Sequence, residues 1–132
     1  MRTKDFYINF LNQNYFEQCK KNIQENQDDS DEFAAGNFTV EPAKTVVAPR
    51  IKESFLSLEC QLELEKDLSQ KSIASLIIGK VTALAIEENF PSQMNTYYGE
   101  NGFIFNIHQP RNPITGRGDL SGLGILNIIK KY

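Results

Sequence analysis

Histidine and cysteine are scarce in this 132-residue sequence, and their scarcity excludes several kinds of metal and disulfide site. The single histidine, His108, rules out a multi-histidine metal site within one chain. The two cysteines, Cys19 and Cys60, lack the paired spacing that binds zinc and are too few for a disulfide framework. We interpret Cys60 as a buried core residue and not as a reactive thiol, because it lies on the apolar side of an alternating segment. The sequence therefore predicts no metal site.

The sequence also lacks a basic stripe and a long apolar run. Its 14 Lys and Arg and 17 Asp and Glu give a net charge of −3, and the two signs are mostly interspersed. Nucleic-acid backbones bind concentrated positive charge, and a bilayer-spanning helix needs about 20 consecutive apolar residues. No signal-peptide pattern stands at residues 1–14. We therefore predict a cytoplasmic protein, folded as a single domain over residues 1–132, that binds neither nucleic acid nor membrane.

A long β-hairpin is the strongest structural signal in the sequence. Residues 55–65 alternate strictly, with leucines and a cysteine on one side and serine, glutamine and glutamates on the other. Residues 73–86 are apolar at both parities, which is typical of a strand covered on both faces. We interpret Glu59, Glu63 and Glu65 as a solvated face and not as an acid–base pair. Such a hairpin predicts a small barrel or half of a sandwich.

Shorter elements flank the hairpin. Residues 6–10 alternate as a short strand, after which Asn14 is positioned to cap a helix that runs from Tyr15 to about Asn26. Residues 38–51 contain two prolines and β-branched residues, which favour an extended, edge-type connection. Another brief strand is predicted at residues 103–107. The fold class that these elements predict is mainly β with a few helices.

The C-terminal third is harder to interpret. Residues 109–124 hold two prolines and four glycines and lack periodicity, so we expect a mobile loop. Arg111 and Arg117 beside these glycines also allow a phosphate contact, although the spacing matches no known phosphate motif. His108 is interpreted as a surface residue at a strand end. Residues 123–132 fit a helix or a strand, and both alternatives stay open.

Several short motifs, in order and at matching spacing, resemble the flavin reductase-like family. They are F-x-x-N at residues 6–9, D-E-F-A-A-G at 31–36, E-P-A-K at 41–44, P-x-I-x-E-S at 49–54, L-E-C at 58–60 and I-G-x-V at 78–81. Each motif is weak by itself, but together in register they are fairly specific. The resemblance covers residues 5–89, and residues 90–132 form a divergent C-terminal part.

This resemblance implies an FMN-binding split β-barrel, usually a homodimer with the flavin at or near the subunit interface. It also implies that the protein binds FMN and transfers hydride from NADH or NADPH to it. Because the flavin performs the hydride chemistry, no acid–base constellation is required and no catalytic residue is assigned. The candidate cofactor-binding residues are Asn9, which ends the F-x-x-N strand, and Phe33, in the 31–36 segment. Asn9 has an alternative role in bonding the strand-to-helix turn, and Phe33 in anchoring an acidic loop.

The sequence departs from the family pattern at both ends. In the family, the F-x-x-N strand is preceded by a segment that the resemblance associates with the main contacts to the phosphate and the flavin ring. This sequence lacks that segment. The family's C-terminal R-x-G-G-x-x-Y pattern is replaced by residues 112–124 and a terminal Tyr132. We therefore expect a reduced barrel whose open edges pair with a second copy. The alternative function is a non-catalytic, truncated split-barrel protein that acts as a binding or structural dimer, and a truncated gene product is a third possibility.

Overall fold

The computed structural model describes residues 4–24, 31–70, 74–88 and 98–132. The elements, in chain order, are β1 (Asp5–Phe10), α1 (Phe16–Gln24), α2 (Glu32–Gly36), β2 (Val40–Glu41), β3 (Arg50–Ile51), β4 (Leu56–Asp67), β5 (Ser75–Ile86), β6 (Ile104–Ile107) and β7 (Gly122–Ile125). Single 3-10 turns lie at Gln13–Tyr15 and Gly99–Asn101. The mainly β fold class with a few helices, predicted from the sequence, is confirmed.

A three-stranded antiparallel sheet in the order β1-β4-β5 forms the centre of the molecule. The long hairpin of β4 and β5 is therefore present as predicted. Two smaller antiparallel pairs, β2-β3 and β6-β7, accompany it. Among the described residues these sheets do not close into a complete barrel.

Gly79 lets β5 lie close to the ring of Phe6. In the register, Phe6 is opposite Cys60 and Gly79 is opposite Leu62. A Cβ at position 79 would lie 2.5 Å from Cζ of Phe6 and 3.2 Å from Cβ of Cys60, which is too close for any other residue without a shift. The glycine of the I-G-x-V motif therefore allows a close approach of two chain segments.

The first helix starts differently from the prediction. Asn12, and not Asn14, provides the cap, because its side-chain oxygen accepts a hydrogen bond from the backbone N–H of Asn14 at 3.0 Å. A 3-10 turn then leads into α1. Residues 25 and 26, the predicted end of the helix, lie outside the described residues.

The second helix is a single capped turn. Oδ1 of Asp31 accepts hydrogen bonds from the backbone N–H groups of Phe33 and Ala34, as a helix N-cap does. The helix ends at Gly36, and the left-handed residue after it is Asn37, with φ 54°. Gln18 of α1 donates to the carbonyl oxygen of Gly36 at 2.9 Å, which joins the two helices.

An aromatic cluster attaches the C-terminal hairpin to the central sheet. The ring of Phe103, just before β6, meets the rings of Phe10 and Phe55 edge to face, each at a centroid distance of 5.2 Å. Phe55 and Cys60 are both 2% exposed, so the prediction of a buried Cys60 is confirmed. Burial also raises the pKa of the Cys60 and Cys19 thiols, which disfavours the reactive thiolate.

The assignment of faces on β4 was wrong at its N-terminal end. Ser57 is 1% exposed and Glu59 is 3% exposed, whereas Leu64 on the supposed core side is 46% exposed. Glu63 and Glu65 are exposed as predicted. The polar side is buried near Glu59 because another chain segment lies over it, as described below.

The prediction that β5 is covered on both faces was also wrong for the single chain. Six of its apolar side chains are 37–57% exposed: Leu76, Ile77, Ile78, Val81, Leu84 and Ile86. The strand lies at the end of the sheet order, and its hydrogen-bonded neighbour is β4. In the part of the chain that the structure describes, nothing covers this apolar surface.

The C-terminal third forms a short hairpin. The strand predicted at residues 103–107 is confirmed as β6, and β7 pairs with it across a long connection. Within this connection Arg111 and Gly118 form an isolated bridge. The terminal segment thus begins as a strand, and its last residues, 126–132, are not helical. His108 is exposed after β6. Among the helices of the described residues, none is long and apolar enough to cross a membrane.

Candidate functional site

The connection between β2 and β3, residues 42–49, crosses one face of the central sheet, and we call it the strap. It has no regular secondary structure. At its ends Glu41 and Arg50 are opposite each other in the β2-β3 pair and form an ion pair. The strap therefore ends in a charged pair whose position depends on how the strap is held.

Side-chain oxygens of the central sheet hold the strap. Glu59 accepts hydrogen bonds from the backbone N–H groups of Lys44 at 2.8 Å and Thr45 at 2.7 Å. Oδ2 of Asp5 accepts from the N–H of Val47 at 2.8 Å. Three strap amides are thus bonded to carboxylates of β1 and β4, as the amides of a strand are bonded to carbonyl groups.

The polar side of β1 and β4 explains this arrangement. On this side of the sheet, every second residue of β1 is paired with every second residue of β4. Tyr7 is opposite Glu59, and Asn9 is opposite Ser57. Because both strands have hydrogen-bonding side chains on this side, the face binds a backbone segment and is shielded from water. Polar residues at every second position of a strand usually indicate a solvated face, but here they indicate a covered one.

Glu59 is the most heavily bonded of these side chains. Besides the two backbone groups it accepts hydrogen bonds from the hydroxyls of Tyr7 and Thr45, each at 2.5 Å. Burial by itself raises the pKa of Glu59, but hydrogen bonds from Lys44, Thr45 and Tyr7 outweigh this effect and lower the pKa to about 2. Burial and the Glu59 carboxylate raise the pKa of Tyr7 well above its usual value. Glu59 is therefore ionised and fully bonded, which suits an anchor and not a general acid.

A cleft of about 750 Å³ lies beside the β2-β3 pair. Its wall includes residues of the P-x-I-x-E-S motif, Arg50 to Ser54, and the end of the strand that carries I-G-x-V, Ala85 to Glu88. Tyr15, from the turn before α1, also lines it. The P-x-I-x-E-S motif and the end of the strand that carries I-G-x-V thus meet in one cavity of the size that binds small molecules and cofactors.

The charges of the cleft are mixed. Four carboxylates and two cations line it: Glu41, Glu53, Glu87 and Glu88, with Arg50 and Lys52. Glu41 is engaged with Arg50, and Glu53 accepts hydrogen bonds from the backbone N–H of Thr39 at 3.0 and 3.1 Å. Burial raises the pKa of Glu53, but the hydrogen bonds from Thr39 outweigh it and lower the pKa below its usual value.

One polar atom in the cleft wall is not satisfied by the protein. Oγ of Ser54 is buried and finds no hydrogen-bond partner among the residues that the structure describes. Buried hydroxyl groups are normally bonded, and an exception calls for a ligand or water. Ser54 therefore marks a point where a bound molecule can make a polar contact.

The structure does not bring the two predicted cofactor-binding residues, Asn9 and Phe33, together in the cleft. Oδ1 of Asn9 accepts hydrogen bonds from the backbone N–H of Ile51 at 3.2 Å and the hydroxyl of Ser57 at 3.0 Å. Asn9 thus binds the backbone of β3 next to the cleft and does not itself line the cleft. Phe33 is half-buried on α2 and does not line the cleft. A flavin contact by either residue stays a prediction.

Sequence reasoning missed the residues that shape the site. Arg50 and Lys52 stand inside the quoted motif but were not singled out, since a motif does not show which of its side chains face a cavity. Glu59 was assigned to solvent. Its position in L-E-C was the available signal, because a carboxylate between apolar residues in a family motif suggests a buried anchor.

Other possible sites have less support. Arg111 and Arg117 line a separate shallow cavity of about 350 Å³ with Asp119, and their predicted phosphate contact is not tested by the structure. The described residues contain no cluster of His, Cys, Asp and Glu that is arranged to bind a metal ion.

Solved structures with the same fold are known from several bacteria. A split barrel protein of Shewanella frigidimarina NCIMB 400, named for the flavin reductases, has a TM-score of 0.73 at 20% identity, over 100% of this chain and 61% of that one. Nitrilotriacetate monooxygenase component B from Bacillus cereus has a TM-score of 0.66 at 16% identity, over 98% and 60%. Flavoredoxin of Desulfovibrio vulgaris (Miyazaki F) has a TM-score of 0.65 at 14% identity, and the match covers 98% of this chain and 62% of that one. These similarities establish the split-barrel fold, and the chain spans about three fifths of each neighbour.

Sequence comparison identifies the family. An uncharacterized protein of Aquifex aeolicus (strain VF5) is 38% identical over 60 residues, which are 46% of this chain and 31% of that protein. The model of the flavin reductase like domain matches residues 1–103. This match covers β1 to β5, the strap and most of the cleft wall. The chain therefore belongs to the flavin reductase-like family.

Proposed function

We propose that the cleft binds FMN and that the protein transfers hydride from NADH or NADPH to this flavin. The observation that carries the proposal is the meeting of the P-x-I-x-E-S segment with the end of the I-G-x-V strand in one cavity, with the unsatisfied hydroxyl of Ser54 in its wall. Membership of the flavin reductase-like family supports the flavin as the ligand.

The residues of the cleft fit FMN. The volume of about 750 Å³ suits a flavin-sized molecule, and Tyr15 and Ile86 provide apolar surface for its ring system. Ser54 offers a hydroxyl for a polar atom of the ligand. Arg50 is already paired with Glu41, and therefore we expect Lys52 to contribute most to phosphate binding.

In this mechanism the side chains bind and orient, and no residue of the cleft acts as an acid or a base. Bound FMN supplies the hydride-accepting chemistry. Tyr15 and Ile86 exclude water from one side of the ligand, while Lys52 balances the charge of its phosphate. Ser54 fixes the orientation by a hydrogen bond.

The visible absorption spectrum of the purified protein, before and after addition of FMN, tests binding. We expect a perturbed flavin spectrum that saturates, and FMN-dependent oxidation of NADH or NADPH. Lys52→Gln is expected to weaken FMN binding at least about tenfold, because a charge-assisted hydrogen bond contributes about 1.5 kcal/mol or more. Lys66→Gln, an exposed position on β4 away from the cleft, serves as the matched control. A protein that takes up no FMN and oxidises no nicotinamide cofactor would overturn the proposal.

The same proposal includes a homodimer, supported by the apolar surface of β5. This surface bears six apolar side chains and one charged residue, Lys80, on an edge strand. Exposed apolar edges of this kind are usually covered by another chain. Sedimentation at micromolar concentration is expected to give a mass of twice the 15.0 kDa chain. A mass of one chain would contradict the dimer. The cytoplasmic location stays a prediction from the sequence.

A second candidate function is a non-catalytic binding or structural dimer of the same fold. The excess of carboxylates in the cleft favours it, because Glu87 and Glu88 oppose the binding of a phosphate dianion near Lys52. A dimer that gives no FMN titration would support this second function over the first.

A further inference from the structure

We infer that Glu59 is a positioning residue that, through the strap, holds the Glu41–Arg50 wall of the cleft and so determines the affinity of the site. Glu59 does not itself line the cleft. The part of the inference that concerns ligand affinity rests on the proposed function. The part that concerns the position of the wall is tested on the ligand-free protein.

The wall has little support of its own. The β2-β3 pair comprises two residues on each strand, and its register has two Cα partners, Val40 with Ile51 and Glu41 with Arg50. A pair this short is not stable independently. Its position relative to the central sheet therefore depends on the strap, on the short connection of residues 52–55 to β4, and on the hydrogen bond between the Ile51 N–H and Asn9.

Glu59 makes the central attachment of the strap. It binds two consecutive backbone N–H groups, those of Lys44 and Thr45, with one carboxylate oxygen each. The hydroxyl of Tyr7 also donates to this carboxylate, which joins β1 to the same point. Because the carboxylate is 3% exposed, water is not available to replace a lost bond.

A β-bulge adds the third strand of the sheet to this attachment. The register passes from Glu59 opposite Ala83 to Cys60 opposite Val81, which leaves Thr82 as the additional residue. The hydroxyl of Thr82 donates to the carbonyl oxygen of Glu59 at 3.2 Å and lies 2.6 Å from the hydroxyl of Thr45. At this point the strap is thus bonded directly to β4 and β5, and through Glu59 it is joined to β1.

The chemistry at this point requires two acceptor oxygens. A glutamine at position 59 has one acceptor and directs its NH₂ group at one of the two backbone donors. Aspartate keeps both acceptors on a shorter side chain. Glu59→Gln is therefore expected to release the strap, and Glu59→Asp to retain part of its attachment.

Hydrogen exchange of the ligand-free protein, followed by mass spectrometry, tests the first step. In Glu59→Gln we expect the amides of Lys44 and Thr45 to exchange at least about tenfold faster, and those of Ile51 and Lys52 in the wall to accelerate as well. Glu59→Asp should show smaller increases. Glu63→Gln, an exposed glutamate of the same strand, is the control and should exchange like the wild type.

FMN titration of the same proteins tests the second step. We expect Glu59→Gln to raise the dissociation constant about tenfold, Glu59→Asp less, and Glu63→Gln not at all, since misplacement of a supporting group weakens a site without removing a contact. Faster exchange of the strap alone, with an unchanged wall and an unchanged dissociation constant, would overturn the inference.

The two proposals can fail separately. If the wild type does not bind FMN, the proposed function is wrong, and exchange at Ile51 and Lys52 still decides whether Glu59 holds the wall.

If Glu59→Gln does not fold, Thr82→Val serves instead, because it removes the hydroxyl and keeps the shape. We expect it to accelerate the Lys44 and Thr45 amides about threefold, and those of Ile51 and Lys52 in the wall as well. Wild-type exchange in that variant would overturn the inference.

Discussion

Two surfaces of the central sheet differ in a way that reverses the usual rule of burial. The β1-β4 face near Glu59 consists of polar side chains and is buried beneath the strap. The surface of β5 is apolar and exposed, with Leu84 at 57%. The polar face is covered because its side chains replace the hydrogen bonds that the strap would make to water. The apolar surface needs no specific partner groups, and none of the described residues covers it.

The difference shows why polarity alone does not predict burial in this fold. A glutamate is rarely buried unless its charge is balanced or its oxygens are bonded. Glu59 meets the second condition with four hydrogen bonds, from three residues. The leucines and isoleucines of β5 have no side-chain groups that need hydrogen-bond partners. Their exposure in the single chain has only a modest free-energy cost.

Removing the Glu59 carboxylate is expected to have the largest effect on the buried polar face. Glu59→Gln should lower the free energy of unfolding by about 2–4 kcal/mol, because at least one buried donor loses its acceptor. Urea unfolding followed by circular dichroism measures this change. Glu63→Gln on the same strand should stay within about 0.5 kcal/mol of the wild type. Equal effects at both positions would show that Glu59 is not a buried anchor.

Filling the space at Gly79 tests the close approach of the Phe6 ring to the strand that carries the apolar surface. Gly79→Ala should cost about 1–3 kcal/mol, because the new Cβ would overlap the ring of Phe6. The control is Gly122→Ala in β7, where an added Cβ meets nothing within 4 Å. A similar loss of stability in both variants would contradict the close approach at Gly79.

Acid should weaken the polar face before it affects the apolar one. The pKa of Glu59 is about 2 in the folded protein and 4.5 for an ordinary glutamate. Its contribution to stability is therefore present above pH 4.5 and is lost as the pH falls towards 2. Over this range the wild type should lose more stability than Glu59→Gln. Urea midpoints at several pH values measure the difference, and parallel curves for the two proteins would contradict it.

A substitution on β5 should have the smallest effect on the chain itself. Leu84→Ser is expected to change the stability of the single chain by no more than about 0.5 kcal/mol, because the side chain is already exposed. It should nevertheless weaken the proposed dimer, measured by sedimentation over a range of concentrations. Leu120→Ser, 86% exposed in the C-terminal connection, should leave the mass unchanged. Wild-type association of Leu84→Ser would place the interface elsewhere.

Much of the fold was predictable from local patterns. The alternation at residues 55–65 and the apolar run at 73–86 predicted the β4-β5 hairpin, because side-chain period and hydrophobicity depend on neighbours along the chain. The helix after β1, apart from its cap residue, and the short β6 followed for the same reason. The family motifs were recognisable as well, and the family match over residues 1–103 agrees with them.

The candidate site was less predictable, because it depends on which segments meet. Arg50 and Lys52 lie in a motif whose sequence does not show that Ala85 to Glu88 form the opposite wall. Asn9 was recognised as important, but its bonds to Ile51 and Ser57 depend on the β1-β4 register. Such contacts span more than forty positions in the chain.

The sequence by itself determined the β4-β5 hairpin, the strands β1 and β6, the first helix, the buried cysteine and the family. Only the tertiary structure decided that Glu59 is inside and that the leucines and isoleucines of β5 are outside. The physical reason is that alternation separates two faces of a strand but does not say what covers either face. Here the strap supplies donors to the polar face, and β5 lies at the edge of the sheet.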